Sequence, residues 1–328
     1  MEFRTTIKTR EHPGLLQHSD TVLLLGSCFS DNVGAKMRAA MMRAEVNPVG
    51  TLYNPMSIAD TVRRLLTCEP VAGMDLFQQG GVWNSFAFHS RYSLPEKDAT
   101  LQLMNRRVEQ GHEWLLHCRL LVVTLGSAMV YRHRDSGRVV ANCHKVPQHE
   151  FERSMAPAAD MSRELLAMCR AVHEANPQAH ILFTVSPIRH IADGLEVNSL
   201  SKARLRVAVD DVVSACAGWT GYFPAFELVN DDLRDYRFYA PDMVHPSEVA
   251  VEYIWQTFQA TYLDDRSAQA VARCERVSKR LQHRPITAGG EAQKRFLADT
   301  RHVVRNLVKE YPYLQSHPDI VNFLDPTS

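Results

Sequence analysis

Two short segments of this chain hold residues that could do covalent chemistry together. Gly26-Ser27-Cys28-Phe29-Ser30 presents two adjacent nucleophiles, a hydroxyl and a thiol, and Asp242-Met243-Val244-His245-Pro246-Ser247 presents a carboxylate three residues before an imidazole. A carboxylate that accepts one ring N–H orients the imidazole and leaves its other nitrogen to take a proton from a nucleophile. Alone, each segment has an ordinary reading. The first is a strand-to-helix turn whose Ser27 bonds local backbone, and the second is a pair of surface residues ahead of a helix capped by Ser247. Together they can perform acyl transfer, provided the fold brings them to one place.

The elements around them meet that condition. Val22-Leu23-Leu24-Leu25 is a short apolar run that predicts a buried strand, closed by Gly26, with a helix over 31–42 behind it. A nucleophile there stands at the carboxyl edge of a sheet, beside N–H groups that favour negative charge. Two more apolar runs, 120–125 and 181–185, predict buried strands, and 222–227 predicts a late one. Helical spacing marks 56–67, 99–117, 161–176, 199–217 and 248–262; a hairpin is expected over 131–140 around Asp135-Ser136-Gly137. The aromatic, glycine-containing stretch 73–92 reads as an insertion over the sheet edge, a lid or pocket wall. Alternating strands and helices imply a mostly parallel sheet covered on both faces. Beyond residue 263, two charge-rich amphipathic helices around Ala288-Gly289-Gly290 predict a helical hairpin that packs on the main domain or forms a homo-oligomer contact.

Bulk properties narrow the partners. The chain has 328 residues, 45% hydrophobic and 23% charged, with 37 Lys plus Arg against 37 Asp plus Glu. No global field recruits nucleic acid or an anionic membrane. No stretch approaches the roughly 18 apolar residues of a span, and Met1 to Lys8 has no apolar core of a leader, so a cytoplasmic location is expected. The seven cysteines are scattered without a C-x-x-C pair, which argues against a disulfide framework and a structural zinc site. No metal and no cofactor is expected; a redox or metal role for Cys28, Cys143 and His144 is the minor alternative. Arg189 and Arg237 could hold a substrate anion or pair with Asp193 or Asp235.

The chain resembles the GSCFA family within the SGNH (GDSL-type) hydrolase superfamily. The resemblance rests on Gly26-Ser27-Cys28-Phe29 (Ser30 replaces the family's Ala), 47–55 (NPVGTLYNP), His89-Ser90, Thr124 to Ala128, Asn142 to Pro147, Val185 to His190, Arg234 to Tyr239 and Asp242 to Ser247. It implies an α/β, flavodoxin-like three-layer SGNH-type fold with a catalytic domain over 1–262 and a helical extension over 263–328. By position, the superfamily register puts the nucleophile at Cys28, with Ser27 kept as the alternative, and the base and its orienting acid at His245 and Asp242. It implies an oxyanion donor at Gly50. The third block, Gly-x-Asn, reads Gly126-Ser127-Ala128 and lacks its Asn; Asn142, His144 or Ser127 could supply the missing donor, and His89 and Ser90 could line the pocket. A thiol at a helix start beside an imidazole is expected to be largely thiolate. The implied function is an acyl-ester hydrolase or acyltransferase acting on an O-acylated small molecule or carbohydrate, the alternative being a catalytically silent module that binds a glycan or acylated metabolite.

Overall fold

The computed structural model describes residues 4–9, 12–283 and 290–325. The polar start Met1-Glu2-Phe3 and the expected turn residues Ala288 and Gly289 lie outside the described residues. The chain divides into two compact units, one of Met1–Thr9, Thr21–Gly34 and Ala44–Gln256, the other of Arg10–Asp20, Ala35–Arg43 and Thr257–Ser328.

The first unit is built on five strands, β1 (Thr21–Gly26), β2 (Arg43–Val46), β3 (Leu120–Leu125), β4 (His180–Val185) and β5 (Thr220–Tyr222), in the spatial order β5-β4-β3-β1-β2. The pairs β1–β3, β3–β4 and β4–β5 are parallel, with Leu24 opposite Val122 and Val122 opposite Leu182. The apolar runs are continuous because both faces are covered. Leu23, Leu25, Val123 and Phe183 share one core with Ile58, Val62, Met104, Leu165 and Val209. Those partners come from helices α2 (Pro55–Thr67), α3 (Lys97–His117), α4 (Ala158–Ala175) and α5 (Leu195–Ala215); α1 (Cys28–Ala39) follows β1 directly. Val22, Leu24, Val122 and Leu182, pointing the other way, are buried as well. The chain leaves β1 for β2 on one side and reaches β3 on the other. The crevice at the carboxyl ends of β1 and β3 is therefore the switch point where α/β folds of this order bind ligands.

Three segments differ from the sequence expectations. The late strand is shorter and earlier, 220–222, because Pro224 breaks the ladder and 225–233 coils into helical turns. The hairpin at Met129–His133 and Val139–Val140 gains a third antiparallel strand, Phe151–Met155. The 73–92 insertion holds a small hairpin, Phe77–Gln79 with Val82–Asn84, turned by Gly80 and Gly81 at positive φ.

The second unit takes the end of α6 (Glu248–Tyr262), then α7 (Asp265–Gln282), α8 (Glu291–Glu310) and α9 (Pro318–Leu324). Asp264 caps α7 by accepting the Ser267 N–H at 2.8 Å. Met41, Cys274, Val277, Val304, Leu307 and Ile320 form its core. Buried His18 donates from Nε2 to the Ala40 carbonyl and accepts from Tyr313 at Nδ1, 2.7 and 2.9 Å. No helix among the described residues is long and apolar enough to cross a membrane.

Candidate active site

Gly26 makes the turn that exposes the nucleophile segment. Its φ is +133°, and a Cβ there would lie 2.1 Å from the Thr124 carbonyl oxygen, so only glycine fits between β1 and β3. The next two residues part company. Ser27 is 1% exposed, donates its N–H to Thr124 and accepts the Phe29 N–H on its hydroxyl. Cys28 opens α1, three residues earlier than the sequence pattern suggests, and is half-buried at the wall of a cavity of about 620 Å³. That cavity is not lined by Ser27.

His245 lines the same cavity, and Asp242, which does not, holds its ring. Asp242 Oδ2 lies 2.6 Å from His245 Nδ1, while its Oδ1 accepts the N–H groups of Val244 and His245 at 2.9 and 3.0 Å. These contacts, the two backbone bonds first, hold the carboxyl down at about 2. The ionised acid fixes the tautomer with the proton on Nδ1, which leaves Nε2 as the basic nitrogen of a ring that lines the cavity. Met243 takes the left-handed conformation that closes this tight loop, and the Arg189 N–H donates to the Val244 carbonyl, tying the loop to the end of β4.

The expectation of a thiolate at Cys28 does not hold. Burial, and then the carboxylate of Asp31 one turn along α1, push the thiol up. The N–H groups of Cys28 and Phe29 and the cation of Lys202 pull the other way and are outweighed. A base is therefore needed to ionise the sulfur.

The remaining residues separate into those facing the cavity and those turned away. Gly50 does not line it, and its N–H already donates to Asn47 O at 2.8 Å, so the expected oxyanion donor is committed elsewhere. Gly126 and Ser127 both give their N–H groups to the Tyr53 carbonyl, and the Ser127 hydroxyl, which does line the cavity, accepts from Met129 N. His144 is buried behind the wall and points Nε2 at the Ser85 carbonyl, 2.8 Å away. His89 packs against Gly50 and accepts from Arg91 N, and neither it nor exposed Ser90 lines this cavity. Cys143 does, but with His144 turned away, Cys28, Cys143 and His144 do not converge. Asn142 lines the cavity with its Oδ1 occupied by the His144 N–H at 2.9 Å. This fixes the amide orientation and leaves its NH₂ as the available donor.

A family model described as the GSCFA family matches residues 21–258. The chain belongs to the GSCFA family. No curated protein matches the sequence. Among solved structures, it is similar to an acetyl xylan esterase from the rumen bacterium Butyrivibrio proteoclasticus, at 10% identity and a TM-score of 0.39, over 74% of this chain and 63% of that one. It is also similar to a family two carbohydrate esterase from Clostridium thermocellum in complex with cellohexaose, at 11% identity and a TM-score of 0.37, over 78% and 65%. This chain thus spans less than two thirds of either.

In this GSCFA protein the cavity also holds residues that sequence reasoning did not place there. Tyr53 stands beside Cys28 and meets His190 edge-on at 5.6 Å. Burial first, then repulsion by Lys202 and His245 in their charged forms, pushes His190 down to about 4, so its ring is neutral at ordinary pH. Arg153 grips both oxygens of Asp193 and donates to Tyr131. Arg237 pairs with Asp235 at 3.0 Å, as surface arginines commonly do, while Arg189 stacks on Tyr239 at 4.0 Å. Behind them all lies Lys202, whose signal was present in the pattern. It falls on the same stripe of α5 as Leu205, Val209 and Val212, the buried one.

Proposed function

We propose that this protein is an SGNH-type acyl-ester hydrolase or acyltransferase in which Cys28 is the nucleophile, His245 the base and Asp242 the residue that orients it. The observation that carries this reading is that Cys28 and His245 line one cavity while Asp242 occupies the far nitrogen of the imidazole. His245 Nε2 takes the thiol proton as sulfur attacks the acyl carbon, and the carbonyl pair moves onto oxygen. The tetrahedral oxyanion is met by the Cys28 N–H, a first-turn donor without a helical partner, and by the amide of Asn142. Collapse expels the alcohol oxygen, which leaves with the proton from His245, and a thioester remains. Water, or an acceptor hydroxyl for transfer, gives its proton to His245 and attacks the thioester. The thiol then recovers that proton, and the acid or new ester departs.

The substrate in this reading is an O-acylated small molecule or carbohydrate. A cavity walled by Tyr53, Tyr131, Asn142 and Arg153 supports it, since it offers aromatic faces and polar groups to a polyol. A second reading, a silent binding module, is favoured by the raised thiol and by the committed N–H groups of Gly50, Gly126 and Ser127.

One experiment separates the two. Wild type and Cys28→Ala are assayed on short-chain aryl esters, thioesters and acetylated saccharides. The enzyme reading expects turnover that falls by about 10³-fold or more in the variant. Equal rates in both proteins would remove Cys28 from the mechanism. No turnover, with saccharide binding retained by both, would support the binding module.

A further inference from the structure

Two arginines line the Cys28 cavity, and they are held in different ways. Arg153 is committed. Its Nε donates to the Tyr131 hydroxyl at 2.7 Å, and its terminal nitrogens take both oxygens of Asp193. Arg189 has no such partner. Its guanidinium lies 4.0 Å from the ring centre of Tyr239 and 5.2 Å from that of Tyr236. Among the described residues its side chain makes no ion pair and reaches no carbonyl. The carboxylate that the sequence offered it, Asp193, belongs to Arg153. Asp242, beside His245, spends both oxygens on its own loop.

An unpaired arginine in open water needs no explanation, but Arg189 is half-buried and fixed. Its backbone N–H donates to the Val244 carbonyl at 3.2 Å, one residue before His245. The two tyrosine rings then hold the side chain. A guanidinium placed over an aromatic face keeps in-plane N–H groups for an acceptor, and their fork matches the two oxygens of a carboxylate. The charge balance of the cavity points the same way. Its charged lining is Arg153, Arg189 and Asp193, with the imidazoles of His190 and His245 beside them. Arg153 and Asp193 cancel. While the imidazoles are neutral, as His245 must be to act as base, the charge left over is that of Arg189. Such a cavity favours a ligand with a single negative charge over a neutral one, and it lacks the second cation that a phosphate dianion would call for.

We propose that Arg189 selects the substrate by binding a carboxylate, so that the O-acylated compound belongs to the acidic class, an acylated sugar acid or a comparable hydroxy acid. This deepens the reading of Cys28 as nucleophile and rests on it for its catalytic consequence. The carboxylate lies against Arg189, next to the loop that carries His245, and the ester is presented to Cys28 in the same cavity. Tyr53 and Tyr131 offer their faces to the carbon skeleton between the two ends.

The test uses substrates that differ in one charge. Acetylated methyl glucuronoside and acetylated methyl glucoside are assayed with wild type, Arg189→Met, Arg189→Lys and Arg237→Met. Wild type should favour the glucuronoside in kcat/KM by about 10 to 100-fold, the worth of a charge-assisted pair. Arg189→Met should turn over the two esters alike, and Arg189→Lys should keep part of the preference, since it retains the charge without the fork. Arg237, paired with Asp235 and outside the cavity, controls for the general field, and its variant should keep the whole preference. Equal rates on the two esters in wild type overturn the proposal, as does a preference that survives in Arg189→Met. Acetylated methyl glucoside 6-phosphate preferred over the glucuronoside would overturn the assignment of a carboxylate. If Arg189→Met fails to fold, the wild-type ratio and Arg189→Lys decide. Calorimetric titration with unacetylated methyl glucuronoside and methyl glucoside separates this proposal from the one beneath it. If no ester is hydrolysed, yet wild type binds the glucuronoside more tightly and Arg189→Met does not, the anion site stands and the esterase reading falls. Hydrolysis of both esters at one rate spares the esterase and removes the anion site.

Discussion

The two sides of the Cys28 cavity treat their polar groups in opposite ways. On the side built from the turns after β1, β2 and β3, the N–H groups other than that of Cys28 are consumed internally. Ser27 and Gly50 donate to Thr124 and Asn47, and Gly126 and Ser127 share the Tyr53 carbonyl. On the other side, Asn142 and His245 each spend one polar atom on structure and line the cavity with a second still available. The first side, Cys28 apart, is a frame, and the second carries the other reactive groups. A buried N–H that is already paired cannot also receive an oxyanion without breaking its bond, at a cost of about 1 to 3 kcal/mol. Substitutions on the reactive side should therefore reach the rate, and those on the frame should reach stability.

After Cys28 itself, the largest effect is expected at Asp242. Replacing it by Asn keeps the size but removes the charge that fixes the His245 tautomer, and kcat/KM should fall by about 10² to 10³-fold. Because the carboxyl titrates at about 2, below its usual range, its support for the imidazole is present at neutral pH and lost only as pH falls toward that value. The ratio of wild-type to variant rates should thus be flat between about pH 4 and about pH 9. A ratio that collapses above neutrality would show that another group orients the ring.

Asn142 comes next. Its alanine variant should lose about 10 to 100-fold in kcat with KM nearly unchanged, as removal of an oxyanion donor does. Thermal unfolding serves as the control, because the bond from His144 N–H is lost too. A rate within threefold of wild type would return Asn142 to the frame and leave the Cys28 N–H as the remaining candidate.

This division explains what the sequence made legible. The sheet was readable because strands buried on both faces must be continuously apolar, as 22–25, 120–125 and 181–185 are. The thiol and the Asp-His pair were readable because their chemistry depends on residue type and spacing. The state of the Gly50 N–H was not, since the partner that takes it is a main-chain oxygen whose position depends on the fold and not on any side chain. The strand at 151–155 escaped because Glu152, Arg153 and Ser154 are exposed in succession, which erases the period of two. The thiolate expectation missed for a similar reason. A helix start and an imidazole can be read from residues, whereas the depth of burial that outweighs them cannot.

The smallest effect is expected at Ser27, and it tests the comparison most sharply because Ser27 and Cys28 are neighbours on opposite sides of the division. Sequence alone left both as nucleophiles. In the fold the Ser27 hydroxyl is enclosed, accepts from Phe29 N at 3.3 Å, and stands 1% exposed with no access to the cavity wall. Ser27→Ala should lower stability by about 1 kcal/mol, the usual worth of one buried hydrogen bond, and leave kcat/KM within about threefold of wild type. Cys28→Ser should retain more activity than Cys28→Ala, because the same imidazole can deprotonate a hydroxyl in that place. Should Ser27→Ala instead abolish turnover in a protein that unfolds like wild type, the nucleophile would lie one residue earlier. The turn after β1 would then have to open during catalysis to bring it out.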